Sequence, residues 1–405
     1  MQTNLTDTVK ALARGKEAEA ILRSCVHCGF CNATCPTYQV LGDELDGPRG
    51  RIYLIKSFLE GAQATEKTQA HLDRCLSCRN CETTCPSGVD FHSLLDIGRE
   101  QIATQVRRPF GQRLLRGGLR LVIPRRSVFG ALLKIGQSAR PWLPNTVQRK
   151  IPAKPATPKP RPVARHARRM LMLEGCVQPS LSPNTNAAAA RVLDKLGITV
   201  VDAPRAGCCG ATDYHLDAQE KGLERARRNI DAWWPAIEAG AQAIVQTASG
   251  CGAFVKEYGK LLRGDPLYAE KAKRVSELAV DLVEVLGSEP LQALNANIGK
   301  TVAFHCPCTM QHAQKLGTLA EQTLRRLGFH LSPVADAHLC CGSAGTYSIT
   351  QPALSRQLRD NKLDVLESGK PDVIATANIG CQMHLASAGR TPVRHWVELL
   401  DEALL

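Results

Sequence analysis

The sequence is poor in aromatic residues, which make up 4% of its 405 positions, so its core must rest on Leu, Ile, Val and Ala. It contains no run of about 18 apolar residues, which excludes a membrane-crossing helix. No G-x-G-x-x-G follows a strand-like run and opens a helix-like one, so neither NAD nor flavin is expected on this chain. The opening stretch MQTNLTDTVKALARGKEAEA has no apolar core of the signal-peptide kind, and a cytoplasmic location is expected. Acidic residues are absent from 101–170, where 17 Lys and Arg occur. The other 34 basic residues face all 38 acidic ones, so the net charge of +13 belongs to that one segment.

Against these absences stand 17 cysteines. In a chain this long without a secretory leader they point to metal rather than disulfides. Eight form two groups of one pattern, C-x2-C-x2-C-x3-C-P: Cys25, Cys28, Cys31, Cys35-Pro36, and Cys75, Cys78, Cys81, Cys85-Pro86. Three thiolates at this spacing wrap one cubane, and the fourth, before proline, ligates the other cluster. The expected ligand sets for two [4Fe–4S] clusters are therefore Cys25, Cys28, Cys31 and Cys85 for cluster one, and Cys75, Cys78, Cys81 and Cys35 for cluster two. A zinc site would call for paired C-x2-C units with four ligands in all, which this doubled three-plus-one pattern does not match. His27, inside the first loop, reads as a surface or supporting residue. Asp46-Gly47-Pro48-Arg49-Gly50-Arg51 reads as a turn and helix start, with Arg49 and Arg51 as alternative sources of positive charge near a cluster.

The chain divides into a helical ferredoxin-like segment (1–100), a basic amphipathic connector with a Pro-rich linker (101–169), and two α/β halves (170–290 and 291–405). The fold class expected is α+β and multi-domain. Residues 151–169 hold five prolines and favour an extended chain. The last two segments are an internal duplication. LMLEGC, ITVVDAP and AIVQTASGC correspond to TVAFHCPC, HLSPVAD and VIATANIGC, with helical stretches between, which implies parallel βαβ units. Each half carries a lone cysteine, a Cys-Cys-Gly and a last cysteine: Cys176, Cys208-Cys209 and Cys251, then Cys308, Cys340-Cys341 and Cys381. The first interval is 32 residues in both halves, and 16 of the 17 cysteines are accounted for, leaving Cys306. Cysteines at strand ends lie where open α/β sheets bind ligands. Adjacent cysteines cannot share one face of a strand, so a loop is expected at each pair, with Gly207, Gly210 and Gly342 allowing tight backbone turns.

These motifs resemble the family of bacterial dehydrogenase iron–sulfur subunits, which serve glycolate, lactate and anaerobic glycerol-3-phosphate dehydrogenases and heterodisulfide reductases. The resemblance covers essentially the whole chain. SCVHCGFC at 24–31, PTYQVLGDELDGPRGRIYLIK at 36–56, LEGCVQPSLSPNTN at 173–186 and HLCCGSAGTY at 338–347 look most like the glycolate oxidase iron–sulfur subunits. The resemblance implies an electron-transfer subunit, with no catalytic residue of its own, in a hetero-oligomeric complex. A flavoprotein partner would oxidise glycolate to glyoxylate, and electrons would pass toward a quinone or other membrane acceptor. The same relay in a lactate or glycerol-3-phosphate dehydrogenase is the alternative. The resemblance implies a fifth cysteine in each CCG unit, three positions beyond the fourth, as C-x2-C. Here Cys251 is followed by Gly-Ala-Phe254, and Cys381 by Gln-Met-His384. His384 and Cys306 are the candidate replacements. A further iron–sulfur cluster in the CCG units, a redox dithiol and a quinone-adjacent site all stay open.

In the basic segment, Phe110, Leu114, Leu115, Leu119 and Val122, then Val128, Phe129, Leu132, Leu133 and Ile135, fall near helical spacing, though Gly117 and Gly118 weaken the first helix. Such basic amphipathic helices suit either an anionic membrane surface, placing the chain peripherally on the cytoplasmic face of the inner membrane, or an acidic partner subunit. Nucleic-acid binding is a remote alternative, because the segment lacks interleaved aromatics for base stacking, and no nucleic acid is expected as a partner. His215, Tyr347, His305 and His312 flank the cysteine motifs and read as ordinary loop or core residues, with proton donation as the alternative. Trp233 and Trp234 read as helix packing.

Overall fold

The computed structural model describes residues 1–144, 148, 151–294, 296 and 298–404. Arg149 and Lys150, two cations of the basic segment, lie outside the described residues. The chain is an α+β protein of two compact units: residues 1–116 with 338–362, and residues 117–337 with 363–405.

The first unit is helical. Its core is built from Leu22 on the helix Gly15–Ser24, Ile55 and Leu59 on Pro48–Leu59, and Leu94 and Leu95 on Phe91–Gln105. Pro48 occupies the first turn of its helix behind the N-capping Gly47, where a missing N–H costs nothing. The turn-and-helix-start reading of 46–51 is therefore correct. Arg51, however, is only 1% exposed and is fully engaged. Its Nε donates to His71 O at 2.8 Å, and its guanidinium reaches Thr37 Oγ at 3.1 Å and Asp46 Oδ1 at 3.5 Å. The buried Asp46 also accepts from Arg74 at 2.8 Å and sits 3.1 Å from His71 Nδ1. This network ties the segment after Cys35 to the helix that ends just before Cys75.

The second unit contains two four-stranded parallel sheets of matching topology. The first joins β1 (Arg168–Met172), β2 (Ile198–Val201), β3 (Ile244–Gln246) and β4 (Ala279–Asp281) in the order β2-β1-β3-β4. The second joins β5 (Thr301–His305), β6 (His330–Leu331), β7 (Val373–Thr376) and β8 (Val393–His395) in the order β6-β5-β7-β8. All pairings are parallel, as the alternation of strands and helices requires. The six strands expected from the sequence form; β4 and β8 are additional edge strands. Trp233 is fully buried within the helix Gln219–Glu238, whereas Trp234 donates to Glu238 and carries Lys271 over its ring.

The connector holds two helices, Phe110–Val122 and Arg126–Ala139. The first runs unbroken through Gly117 and Gly118, which corrects the expected weakness. A glycine pair lowers helix propensity by about 1 kcal/mol per residue, and half-buried Leu119, Val122 and Ile123 beyond the pair supply packing that offsets it.

Two measurements follow from buried charge. Removing Arg51 leaves Asp46 with part of its compensation gone. Arg51→Met should lower stability by about 3 kcal/mol in anaerobic urea unfolding, the low end for a broken buried pair. Lys56→Met, which breaks the more accessible pair with Glu60, should change it by less than about 1 kcal/mol. Asp281 caps the helix Leu282–Ser288 through Oδ1, while its buried Oδ2 has no hydrogen-bond partner. Burial first, and then the Glu284 charge, push its carboxyl up to about 7. The folded state thus holds this proton more tightly than the unfolded chain does. The contribution to stability is full below about pH 4 and is lost as pH rises toward 7. Asp281→Asn keeps the capping oxygen and should flatten the stability–pH curve across that window.

Candidate iron–sulfur sites and cysteine-rich loops

The two N-terminal cysteine groups adopt one backbone trick twice. His27 and Ser77, at equivalent positions, are left-handed with φ of 61° and 52°. Gly29 and Arg79, each directly after the second cysteine, are left-handed with φ of 86° and 61°. Non-glycine residues resist this region, so three strained positions are held by what surrounds them. The result turns successive thiols toward a common point. Short helices, Phe30–Ala33 and Asn80–Thr84, then carry Cys31 and Cys81, and Cys35 and Cys85 follow where these helices end.

One hollow is lined by Cys25, Cys28, Cys31 and Cys85, with Arg49 and Ile52. The other is lined by Cys35, Cys75, Cys78 and Cys81, with Arg51 and His92. Cys85, distant in sequence from the first group, thus sits with it, and Cys35 sits with the second. Pro48, Cys81 and Phe91 line both hollows and form a common wall. Burial pushes the Cys31 thiol up to about 11, reinforced by Cys25, Cys85 and Cys28. Burial likewise raises Cys81 well above the usual thiol range, with Cys78, Cys75 and Cys35 adding to it. Gathered thiols of this kind ionise only when a cation joins them. All are free rather than disulfide-bonded, and the donor sets fit thiolate-bound iron. Arg49 lines the first hollow while pairing with Glu44 at 2.6 Å, and Arg51 lines the second. Both arginines thus border a hollow as well as standing in the first turn of their helix. His27 is exposed and meets Tyr53 edge-on.

In the second unit the first cysteine-rich set converges at the carboxyl ends of β1, β2 and β3. Cys176 follows β1, Cys208 and Cys209 lie in a loop after β2, and Cys251 rides the helix Ser249–Lys256 after β3. The thiols of Cys176, Cys208 and Cys209 act on one another: Cys176 and Cys209 draw Cys208 well below the usual thiol range. Cys208 and burial raise Cys176, and Cys208, Cys251 and burial raise Cys209. Gly210 has φ of 106°, and a Cβ there would stand 2.4 Å from Gly222 O. Asn229, fully buried, accepts from Gly207 N at 2.8 Å and donates to Cys208 O at 2.9 Å, clamping the loop. Sequence reading did not single out Asn229, because a lone polar residue on an otherwise amphipathic helix leaves no spacing signal. His215 packs edge-on against Tyr214 and Phe254.

Cys308 and Cys381 belong to the second unit, with Cys381 on the helix Ile379–Ala386 and accepting from Asn378 at 3.4 Å. His384 is half-buried on that same helix, and Cys306 is buried just after β5. Buried His305 lies 3.0 Å from Thr376 Oγ, and His312 is buried in the turn after Cys308. Cys340 and Cys341 belong to the first unit. There Gly342 (φ 83°) donates to Cys340 Sγ at 3.4 Å, and Ser355 donates to Gly342 O at 2.7 Å.

Residues 21–89 match the 4Fe-4S dicluster domain, and residues 170–256 and 302–386 each match the cysteine-rich CCG domain. The chain is similar to the "Glycolate oxidase iron-sulfur subunit" of Escherichia coli (strain K12), with 68% identity covering 100% of this chain and 99% of that one. It is 30% identical to the "Probable glycolate oxidase iron-sulfur subunit" of Bacillus subtilis (strain 168), over 95% of this chain and 94% of the other. A "Lactate utilization protein A" of Geobacillus thermodenitrificans (strain NG80-2) matches 56% of this chain at 32% identity, which is 95% of that shorter protein. Two thiol-lined hollows under one dicluster domain, followed by two CCG units and likeness along the full length, place the chain in the family of glycolate oxidase iron–sulfur subunits.

Proposed function

We propose that this chain is the electron-transfer subunit of a flavin-dependent glycolate dehydrogenase, with Cys25, Cys28, Cys31 and Cys85 holding one [4Fe–4S] cluster and Cys75, Cys78, Cys81 and Cys35 the other. The observation that carries this reading is the shared wall of Pro48, Cys81 and Phe91 between the two four-thiol hollows. A single storage or structural site needs no such neighbour, whereas a relay does. Each cluster, when bound, takes up and releases one electron at a time. The chain's own residues fix the thiols by left-handed turns, and set Arg49 and Arg51 where positive charge favours the reduced state. The Cys176, Cys208, Cys209 and Cys251 quartet is suited to a further iron–sulfur group with four rather than five thiol ligands.

The substrate site then belongs to a partner flavoprotein that oxidises glycolate to glyoxylate, and electrons pass on to a quinone-type membrane acceptor. The names of the relatives support glycolate over lactate, because the full-length matches carry the former name. The chain is read as four functional segments: 1–100 with the clusters, 101–169 as connector, and 170–290 and 291–405 as the CCG halves.

A peripheral site on the inner membrane is supported by the connector. No helix among the described residues is long and apolar enough to cross a membrane. Phe110, Leu114 and Leu121 stand exposed along one stripe of their helix, Leu132 and Ile135 along the next, and Trp142 is 83% exposed. Arg108 and Arg116 pair with Asp73, but Arg107, Arg113, Arg120, Arg125, Arg126 and Lys134 have no acidic partner among the described residues. Exposed apolar stripes beside unpaired cations suit an anionic bilayer surface.

Two outcomes check these readings. Adding glycolate to the anaerobic complex of this chain with its flavoprotein should bleach the cluster absorbance; bleaching by lactate but not glycolate would transfer the role to the alternative substrate. Replacing Phe110, Leu114 and Leu121 by Ser should reduce co-sedimentation with phosphatidylglycerol vesicles roughly tenfold or more. Unchanged sedimentation would make the connector a docking face for a protein instead.

A further inference from the structure

The segment that carries the second Cys-Cys-Gly packs within the first unit, against the backbone that presents cluster two's cysteines. Three contacts define this. Tyr347 donates its hydroxyl to the carbonyl of Arg74, the residue before Cys75, at 3.0 Å. Asn80, the residue before Cys81, donates from Nδ2 to His338 O at 3.2 Å. The same amide donates to the carbonyl of Thr34, the residue before Cys35, at 2.9 Å. All three cysteine-bearing strands of backbone around that hollow are thus joined, directly or through Asn80, to residues 338–347. The joining groups are shielded from water: Asn80 is 2% exposed and Tyr347 5%. The segment is itself held rigid, because Ser355 bonds Gly342 O and a Cβ on Gly342 would stand 2.7 Å from Ser355 O.

We propose that residues 338–347 are a working wall of the cluster-two site, with Tyr347 as a positioning residue that fixes Cys75 through the Arg74 carbonyl. The second Cys-Cys-Gly is then built into the surroundings of cluster two. Any change at Cys340 and Cys341 is felt there. Groups that hydrogen-bond or position a cluster's ligands tune its potential. This inference rests on the two-cluster reading above and goes beyond it by distinguishing the clusters from each other.

The test uses the full chain purified anaerobically, with redox titration followed by EPR. Cys28 is exposed and lines only the first hollow, so Cys28→Ser marks which signal belongs to cluster one. Tyr347→Phe keeps the ring and removes only the donor. It should shift the midpoint potential of cluster two, leave that of cluster one in place, and speed loss of cluster-two iron to a chelator roughly fivefold, the effect of one net hydrogen bond. Gly342→Ala, which displaces the loop itself, should act on the same cluster and more strongly. Unchanged potentials in both variants, or equal shifts of both clusters, would overturn the proposal. Iron and sulfide counts on the unaltered chain test the two-cluster reading separately: a count too low for two clusters sinks that reading, whereas a full count with unmoved potentials sinks only this one.

Discussion

Everything in the first unit follows from one electrostatic difficulty, the gathering of eight thiols into two adjoining, partly buried hollows. Burial and mutual repulsion push Cys31 and Cys81 above the usual thiol range. Only cations in the hollows reverse this, so the arrangement has a physical rationale with iron bound and little without it. The surroundings lean the same way. Arg49 and Arg51 border the two hollows, and each is anchored by a carboxylate, so the cations are fixed rather than free to move.

The cysteine-rich halves solve a related problem differently. Their cysteine pairs are carried by loops, and Cys251 and Cys381 by helices that follow strands, in a fold class whose ligands gather at the carboxyl ends of parallel strands. In both loops a glycine in the left-handed region follows the cysteine pair, and at both a Cβ would collide with a backbone carbonyl, Gly222 O or Ser355 O. The tight approach therefore belongs to the motif and not to one half. Asn229 clamps the first loop and Ser355 the second, so the duplication preserved the geometry while the clamping residue diverged.

Much of this was legible in the sequence, for reasons that differ by element. The C-x2-C-x2-C-x3-C-P pattern is dense enough that Cys85 could be placed with the first group and Cys35 with the second, and the structure brings them together so. Six strands were readable because each is an apolar run beside a cysteine or a turn. β4 and β8 were not, because a three-residue edge strand such as Ala279–Asp281 leaves too short a pattern to stand out from the helix before it. Gly117 and Gly118 misled because local propensity was outweighed by packing beyond them. Asn80, Asn229 and Tyr347 were invisible or underweighted for a common reason: each acts through hydrogen bonds to backbone distant in sequence, which no periodicity encodes. For the same reason nothing in the sequence showed that residues 338–362 belong with the first unit.

The central claim is that two clusters sit side by side as a relay, and EPR of the fully reduced protein tests it most directly. Adjoining hollows with a common wall predict two paramagnets close enough to couple, giving a broadened, split spectrum that simplifies to one isolated signal when only one cluster is reduced. Two independent, uncoupled signals at full reduction, or a spectrum accounting for a single cluster, would contradict it.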